Sequence, residues 1–205
     1  MKQLLNLLQQ HKSSTSVFNQ YQHPSVLHNL ELYLELCKRN DLKILLVGEA
    51  PGYAGCALTG IPFTSNRILN RNDISFFKTI KDKLYISDNT TERSATIVWN
   101  ALNELDFIPA FWNSFPFHPC QTNRKKSNRA PSIEEVLEGK CFLKMVIEYL
   151  KPQIIAGLGK EGQSALESIL PNKKIEYIRH PSYGGKPEFV KGLKKLALFA
   201  RNTGR

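Results

Sequence analysis

KILLVGEAPGYAGCALTGIPFTS, residues 43–65, decides how the rest of the chain is read. Lys43 to Val47 form one short run, apolar after the lysine and partly β-branched, too brief for a helix and suited to a buried strand. It stops at Gly48, and GEAPG follows at 48–52, two glycines bracketing a glutamate and a proline. Open α/β sheets place their ligands at a strand that runs into such a turn. Glycines there let backbone N–H groups approach a bound group closely. TGIPFTS adds an aromatic residue, Phe63, a short loop away from the same turn.

Outward from this stretch, the same alternation repeats. Residues 1–11 and 25–39 read as helices, the second with Leu27, Leu30, Leu34 and Cys37 on one face. Ser65-Asn66 and Asp73 are candidate caps for helices through Leu69 and Lys83. Thr91-Glu92-Arg93 opens a helix carrying Ile97, Val98, Ala101, Leu102 and Leu105, stopped by Pro109. AFWNSF at 110–115 is the second strand. Ser132 with Glu135 three residues on is a capping box for a helix to about Leu150. QIIAGLG at 153–159, a helix from Lys160 to Ile169, KIEYIR at 174–179 and a closing amphipathic helix complete the order. The predicted fold is α/β, a three-layer sandwich around a central four-stranded parallel sheet. One domain over 1–205 is expected, with an N-terminal helical segment at 1–40 and the α/β core at 41–200. The polar, Gly/Pro-rich stretches at 48–65, 113–119, 157–162 and 180–185 all follow strand ends, where one sheet edge can gather them.

Composition narrows the partners. The 205 residues suffice for one complete core. Lys plus Arg is 28 against 18 acidic residues, a balance of +10 that suits a polyanion, nucleic acid before membrane. No stretch approaches a membrane span, and the N-terminal apolar run is too short and interrupted for a signal peptide. Cys37, Cys56, Cys120 and Cys141 are scattered like reduced thiols of an intracellular, cytoplasmic protein. The loop QTNRKKSNRAPS at 121–132 holds Arg124, Lys125, Lys126 and Arg129. It reads either as a solvated charge run or as a set of phosphate contacts. Asn113 in its aromatic strand is either a satisfied structural amide or a bidentate reader of an imide edge. His118 is the weaker candidate beside it. GLGKEG at 157–162 resembles a phosphate-cradling turn but lacks the spacing of either glycine-rich nucleotide motif.

Taken together, GEAPG at 48–52, Phe63, Asn113, NRAPSIEEV at 128–136 and HPS at 180–182 resemble the uracil-DNA glycosylase superfamily, over roughly residues 43–200 and in the right order. GEAPG points to the branch called family 4. The resemblance implies a monofunctional N-glycosylase, needing no cofactor for its chemistry, that flips uracil out of DNA during base excision repair. It implies that Gly48, Glu49, Ala50, Pro51 and Gly52 line the base pocket and water site, that Phe63 stacks on the flipped base, and that Asn113 reads its edge. It further implies that His180 faces the base O2, and that Ser182, Tyr183, Gly184 and Gly185 press into the duplex. Glu49 and His180 are thus the expected catalytic pair. Arg124, Lys125 and Lys126 are the expected phosphate contacts, and uracil-containing DNA the partner of a monomer. Two positions depart from the pattern. Ala50 stands where the best-known branch has a water-activating aspartate. Family 4 usually carries an iron–sulfur cluster on four cysteines, whereas this chain has no C-x-x-C pair and has Phe117 where a ligand often stands, with only Cys141 near the last ligand. No metal and no cofactor are therefore expected. A DNA-binding module with degraded chemistry and a nucleotide-binding enzyme are the alternatives.

Overall fold

The computed structural model describes residues 1–203. Four parallel strands form the central sheet: β2 (Ile44–Gly48), β3 (Ala110–Asn113), β5 (Ile154–Leu158) and β6 (Glu176–Ile178), in the order β3-β2-β5-β6. A separate antiparallel ribbon pairs β1 (Val17–Phe18) with β4 (His118–Pro119). The helices are α1 (Lys2–Gln10), α2 (Pro24–Arg39), α3 (Cys56–Thr59), α4 (Asn66–Asn70), α5 (Arg93–Leu105), α6 (Ile133–Leu150), α7 (Lys160–Ile169) and α8 (Lys186–Thr203).

Every residue of β2 is buried. A central parallel strand is covered on both faces, so it is written as an unbroken apolar run rather than an alternating one. Helices α6 and α7 pack together on one side of the sheet, and α5 and α8 pack together on the other. The expected layers are therefore present. The chain leaves β2 for β3 on one side and later returns to β5 on the other. Gly48 is thus the carboxyl end of the strand where the winding reverses, and a crevice opens there for topological reasons.

One hydrophobic cluster runs from Leu4 of α1 to Leu196 of α8. The segment 1–40 is part of it, with Leu4, Leu5 and Leu8 of α1 and Leu30, Tyr33, Leu34 and Cys37 of α2 buried. Ser132 caps α6 in the expected capping box with Glu135. Among the described residues, no helix is long and apolar enough to cross a membrane.

Three local expectations change. Residues 73–83 form no helix; two single 3-10 turns stand there, at 75–77 and 81–83. Asp73, expected as a cap, gives its carboxylate to the Arg71 guanidinium at 2.5 Å and 2.9 Å instead, while Phe76 and Phe77 turn onto Trp99. The second and fourth strands are shorter than expected, ending at Asn113 and spanning only 176–178. The β1–β4 ribbon has no signal in the sequence. Its two-residue strands are held by side chains such as Asn19, whose amide donates to the Leu8 and His11 carbonyls, both at 2.7 Å.

Candidate active site at the carboxyl edge of the sheet

The turn after β2 is built by the strand beside it. Gly48 pairs with Asn113 in register. Beyond that pair, the Ser114 N–H donates to the Gly48 carbonyl at 2.8 Å, and the Phe115 N–H to the Glu49 carbonyl at 3.0 Å. The Ser114 hydroxyl also donates to the Glu49 carbonyl at 2.7 Å. The backbone of 48–49 is thereby committed to 113–115, and the Glu49 side chain and residues 50–52 are left to face the crevice.

That crevice is a cleft of about 740 Å³. Glu49, Ala50, Pro51, Gly52, Phe63, Asn113, His180, Ser182 and Tyr183 all line it. Gly48 lies behind the wall. The Phe63 ring sits so tightly against its Cα that a Cβ would overlap the ring, so only glycine admits the aromatic here. Phe63 takes a left-handed backbone (φ 56°) to reach this place, and Trp99 of α5 donates to its carbonyl at 2.9 Å. Its ring centre lies 5.2 Å from that of Phe111 and 6.3 Å from the His180 ring. Strain at a non-glycine φ > 0 is held only where surrounding contacts over-determine it.

Asn113 is 3% exposed, and among the described residues its amide has no hydrogen-bond partner. Its polar atoms are not among the fully buried unpartnered ones, so they open onto the cleft. Its cleft position supplies the reason to keep it, since a ligand edge can complete it.

His180 has a defined tautomer. The Ser182 N–H donates to its Nδ1 at 3.2 Å, which makes Nδ1 the acceptor and leaves the proton on Nε2. Burial, with the Arg179 cation adding to it, lowers the His180 pKa below its ordinary value. The ring is thus a neutral donor through Nε2 at neutral pH. Ser182, expected as a DNA contact, fixes the histidine through its backbone N–H. Tyr183 is 99% exposed with φ 51°, a ring standing clear of the surface at the cleft rim. Gly184 and Gly185 follow it outside the lining.

Glu49 is half-buried, and burial, followed by the nearby Glu161, raises its pKa. Lys160 and Glu161, from GLGKEG, also line the cleft. That turn therefore delivers the amino end of α7 to the site, although its sequence is no nucleotide motif.

Arg124, Lys125 and Lys126 do not join this cleft. They line a second, shallower one of about 580 Å³ with Ser14 and Thr15. His118 connects the two. It is 1% exposed, and its ring nitrogens face the Pro51 carbonyl at 2.8 Å and the Lys125 carbonyl at 3.0 Å. Arg129 leaves the set of candidate phosphate contacts. Its guanidinium forks onto Glu135 and also donates to the Cys120 and Ser16 carbonyls at 2.9 Å.

The residues do not fit an iron–sulfur cluster. Phe117 is stacked on His11 at 3.8 Å and packed edge-on against Tyr21, Phe115 and Phe142. Cys37, Cys56 and Cys120 are buried and Cys141 is exposed. Among the described residues, no three His, Cys, Asp or Glu side chains converge as a metal site.

Sequence reasoning misses Glu92, Ser94, Cys56 and Asn128, all of which line the cleft. In the sequence Glu92 reads only as a helix opener. The one available signal is a glutamate before α5, on the same chain segment as the buried Trp99.

Comparison with known proteins speaks to the fold and the superfamily. No curated protein matches the sequence. The fold is similar to that of wild-type SMUG2 from Pedobacter heparinus, seen in a crystal structure, with a TM-score of 0.62 and 16% identity over 98% of this chain and 97% of that one. At that identity the likeness speaks for the fold alone. The family model for the uracil DNA glycosylase superfamily matches residues 34–198, most of the chain, and so the chain belongs to the uracil DNA glycosylase superfamily.

Proposed function

We propose that this protein is a monofunctional glycosylase that hydrolyses the N-glycosidic bond of uracil in DNA. The observation that carries the reading is the unpaired amide of Asn113 on the cleft wall beside Phe63 and the Nε2–H of His180. A base flipped from duplex costs a few kcal/mol of unstacking. Phe63 offers it a ring face. Asn113 accepts from N3–H and donates to O4, a pattern that cytosine reverses, so cytosine leaves buried groups unmatched.

As the bond between C1′ and N1 breaks, its electron pair goes to the base, and positive charge develops on the sugar. His180, already neutral, donates to O2 as the anion forms. Water adds to C1′ and its proton is released, and uracil is protonated on leaving. The raised carboxyl of Glu49 orients that water or balances the cationic sugar. The motif places the chain nearest family 4, without that branch's cluster ligands. It acts inside the cell as a monomer, with Arg124, Lys125 and Lys126 on phosphates and Ser182 to Gly185 against the duplex.

Single-turnover release of uracil from a U:G duplex tests the reading. The parent releases the base and leaves an alkali-labile site. His180→Ala loses about 10²–10³ in rate, as expected for a donor to a developing anion, with DNA affinity nearly unchanged because His180 meets charge that arises only in the transition state, and Asn113→Ala, which removes base reading, also lowers the rate strongly. Glu49→Ala loses less. A parent without activity that still binds DNA would favour the degraded DNA-binding module, a reading to which Ala50 on the cleft wall lends support.

A further inference from the structure

Glu92 stands directly before α5, and its side chain does not cap that helix. The carboxyl instead reaches across to the loop after β2. Oε1 packs on Gly52 and Oε2 on Gly55, and a Cβ at either position would overlap it. The Thr64 carbonyl closes the same corner, 2.8 Å from where a Gly55 Cβ would stand. Thr64 follows Phe63, whose carbonyl is held by α5. The carboxyl therefore lies on the wall shared by the GEAPG turn and the stacking ring, and it lines the cleft.

Its neighbours do not neutralise it. Among the described residues, no lysine, arginine or histidine forms an ion pair with Glu92. Arg129, a cation that also lines the cleft, is committed to Glu135. The other titratable groups on the cleft include the buried Cys56 thiol of α3, whose ionisation Glu92 opposes, Glu49 after β2, Lys160 and Glu161 of α7, and Arg179 and His180 after β6. Only the Ser94 hydroxyl helps the charged form, and burial outweighs it, pushing the Glu92 pKa up to about 7. A desolvated carboxyl without a cation keeps its proton. In that form it is a donor through one oxygen and an acceptor through the other.

We propose that Glu92 is a further base-recognition residue, a neutral carboxylic acid that donates a hydrogen bond to the O4 carbonyl of the base held between Phe63 and Asn113; this rests on the glycosylase reading above. A carbonyl oxygen has two lone pairs. The Asn113 amide engages one, and Glu92, which lines the same cleft, is assigned the other. The developing uracil anion spreads from N1 onto O2 and O4, so His180 and Glu92 stabilise its two carbonyl ends. An ionised carboxylate in the same place would repel it.

The test uses the parent, Glu92→Gln and Glu92→Ala in two measurements on either side of pH 7: single-turnover uracil excision at saturating enzyme, and titration with free uracil followed by NMR. In the parent, rate and uracil affinity both fall as pH rises through about 7. His180 is lowered from its ordinary value and Glu49 raised from its own, so the step is assigned to Glu92 by its loss in Glu92→Gln. Glu92→Gln donates through its amide at every pH; it stays within about 3-fold of the parent below the step and loses the step itself. Glu92→Ala loses about 10-fold or more in both measurements below the step. Parental rate and affinity in Glu92→Ala would overturn the proposal. So would loss of excision in Glu92→Gln alongside a parental rate that rises with pH, the mark of an ionised general base. A parent that binds uracil with this dependence but excises none supports the recognition role and overturns the glycosylase reading. A parent that neither binds nor excises overturns both.

Discussion

Glu92 and His180 show how one cleft sets two titratable groups on opposite courses. Burial acts against charge in both, so the acid is raised and the base lowered. For Glu92 this has a consequence for stability. Its pKa is about 7 in the folded chain against an ordinary 4.5, so the folded state binds more protons between those values. Stability is complete below about 4.5 and is lost as pH rises through about 7. Glu92→Gln removes the penalty. The stability difference between Glu92→Gln and the parent should therefore grow between pH 5 and pH 8 by on the order of 2–3 kcal/mol, at about 1.4 kcal/mol for each pH unit that separates the folded and unfolded titrations. Denaturant titrations at the two pH values measure it, and an equal difference at both would mean that Glu92 titrates like an exposed carboxyl.

At the scale of elements, the site depends on how closely α7 lies on β2. A Cβ at Gly162 would collide with the Val47 carbonyl, one residue before the GEAPG turn. Gly162→Ala must push the first turn of α7 off the strand and carry Gly159 to Glu161 away from the cleft. Overpacking of this kind typically costs about 1–3 kcal/mol, and here the loss is expected in the denaturation midpoint and in the single-turnover rate together. A variant with parental stability and rate would show that helix and strand have room to yield. The ribbon of β1 and β4 acts at the same scale. It carries His118 to a place where one ring touches both the Pro51 and Lys125 carbonyls, so the turn that lines the main cleft and the loop that carries the cations share a tether. A neutral imidazole donates to one carbonyl only, and a doubly protonated ring to both.

The whole molecule carries a charge of +10, and the fold distributes that charge selectively. Arg129 is withdrawn into a fork with Glu135, whereas Arg124, Lys125 and Lys126 stay at the surface along a second cleft. If these three meet phosphates, replacing them together with alanine lowers the magnitude of the log–log salt slope of duplex binding by about 0.9 for each phosphate no longer neutralised. Chemistry at saturating enzyme should remain parental, because the loop does not line the cleft of Glu49 and His180. An unchanged slope would make it a solvated charge run.

Much of this was legible in the residues alone. Val47-Gly48 reads as a strand that meets a turn, the apolar stripe of α5 gives its buried face, and Ser132 with Glu135 starts α6, because each signal is local and falls within a few residues. The order of elements then left a parallel sheet as the fold, and the short motifs at strand ends followed from the same topology. Tertiary structure alone decided what depends on distant neighbours. It shortened the strands, replaced the helix expected at 73–83 with single turns that set Phe76 and Phe77 onto Trp99, and made a buried ribbon from Val17 and His118, which lie about a hundred residues apart. It also placed Glu92 against Gly52 and Gly55. Nothing near Glu92 in the sequence marks it, since the burial that holds its proton is supplied by a loop some forty residues earlier, and desolvation belongs to the assembled wall rather than to any segment of the chain.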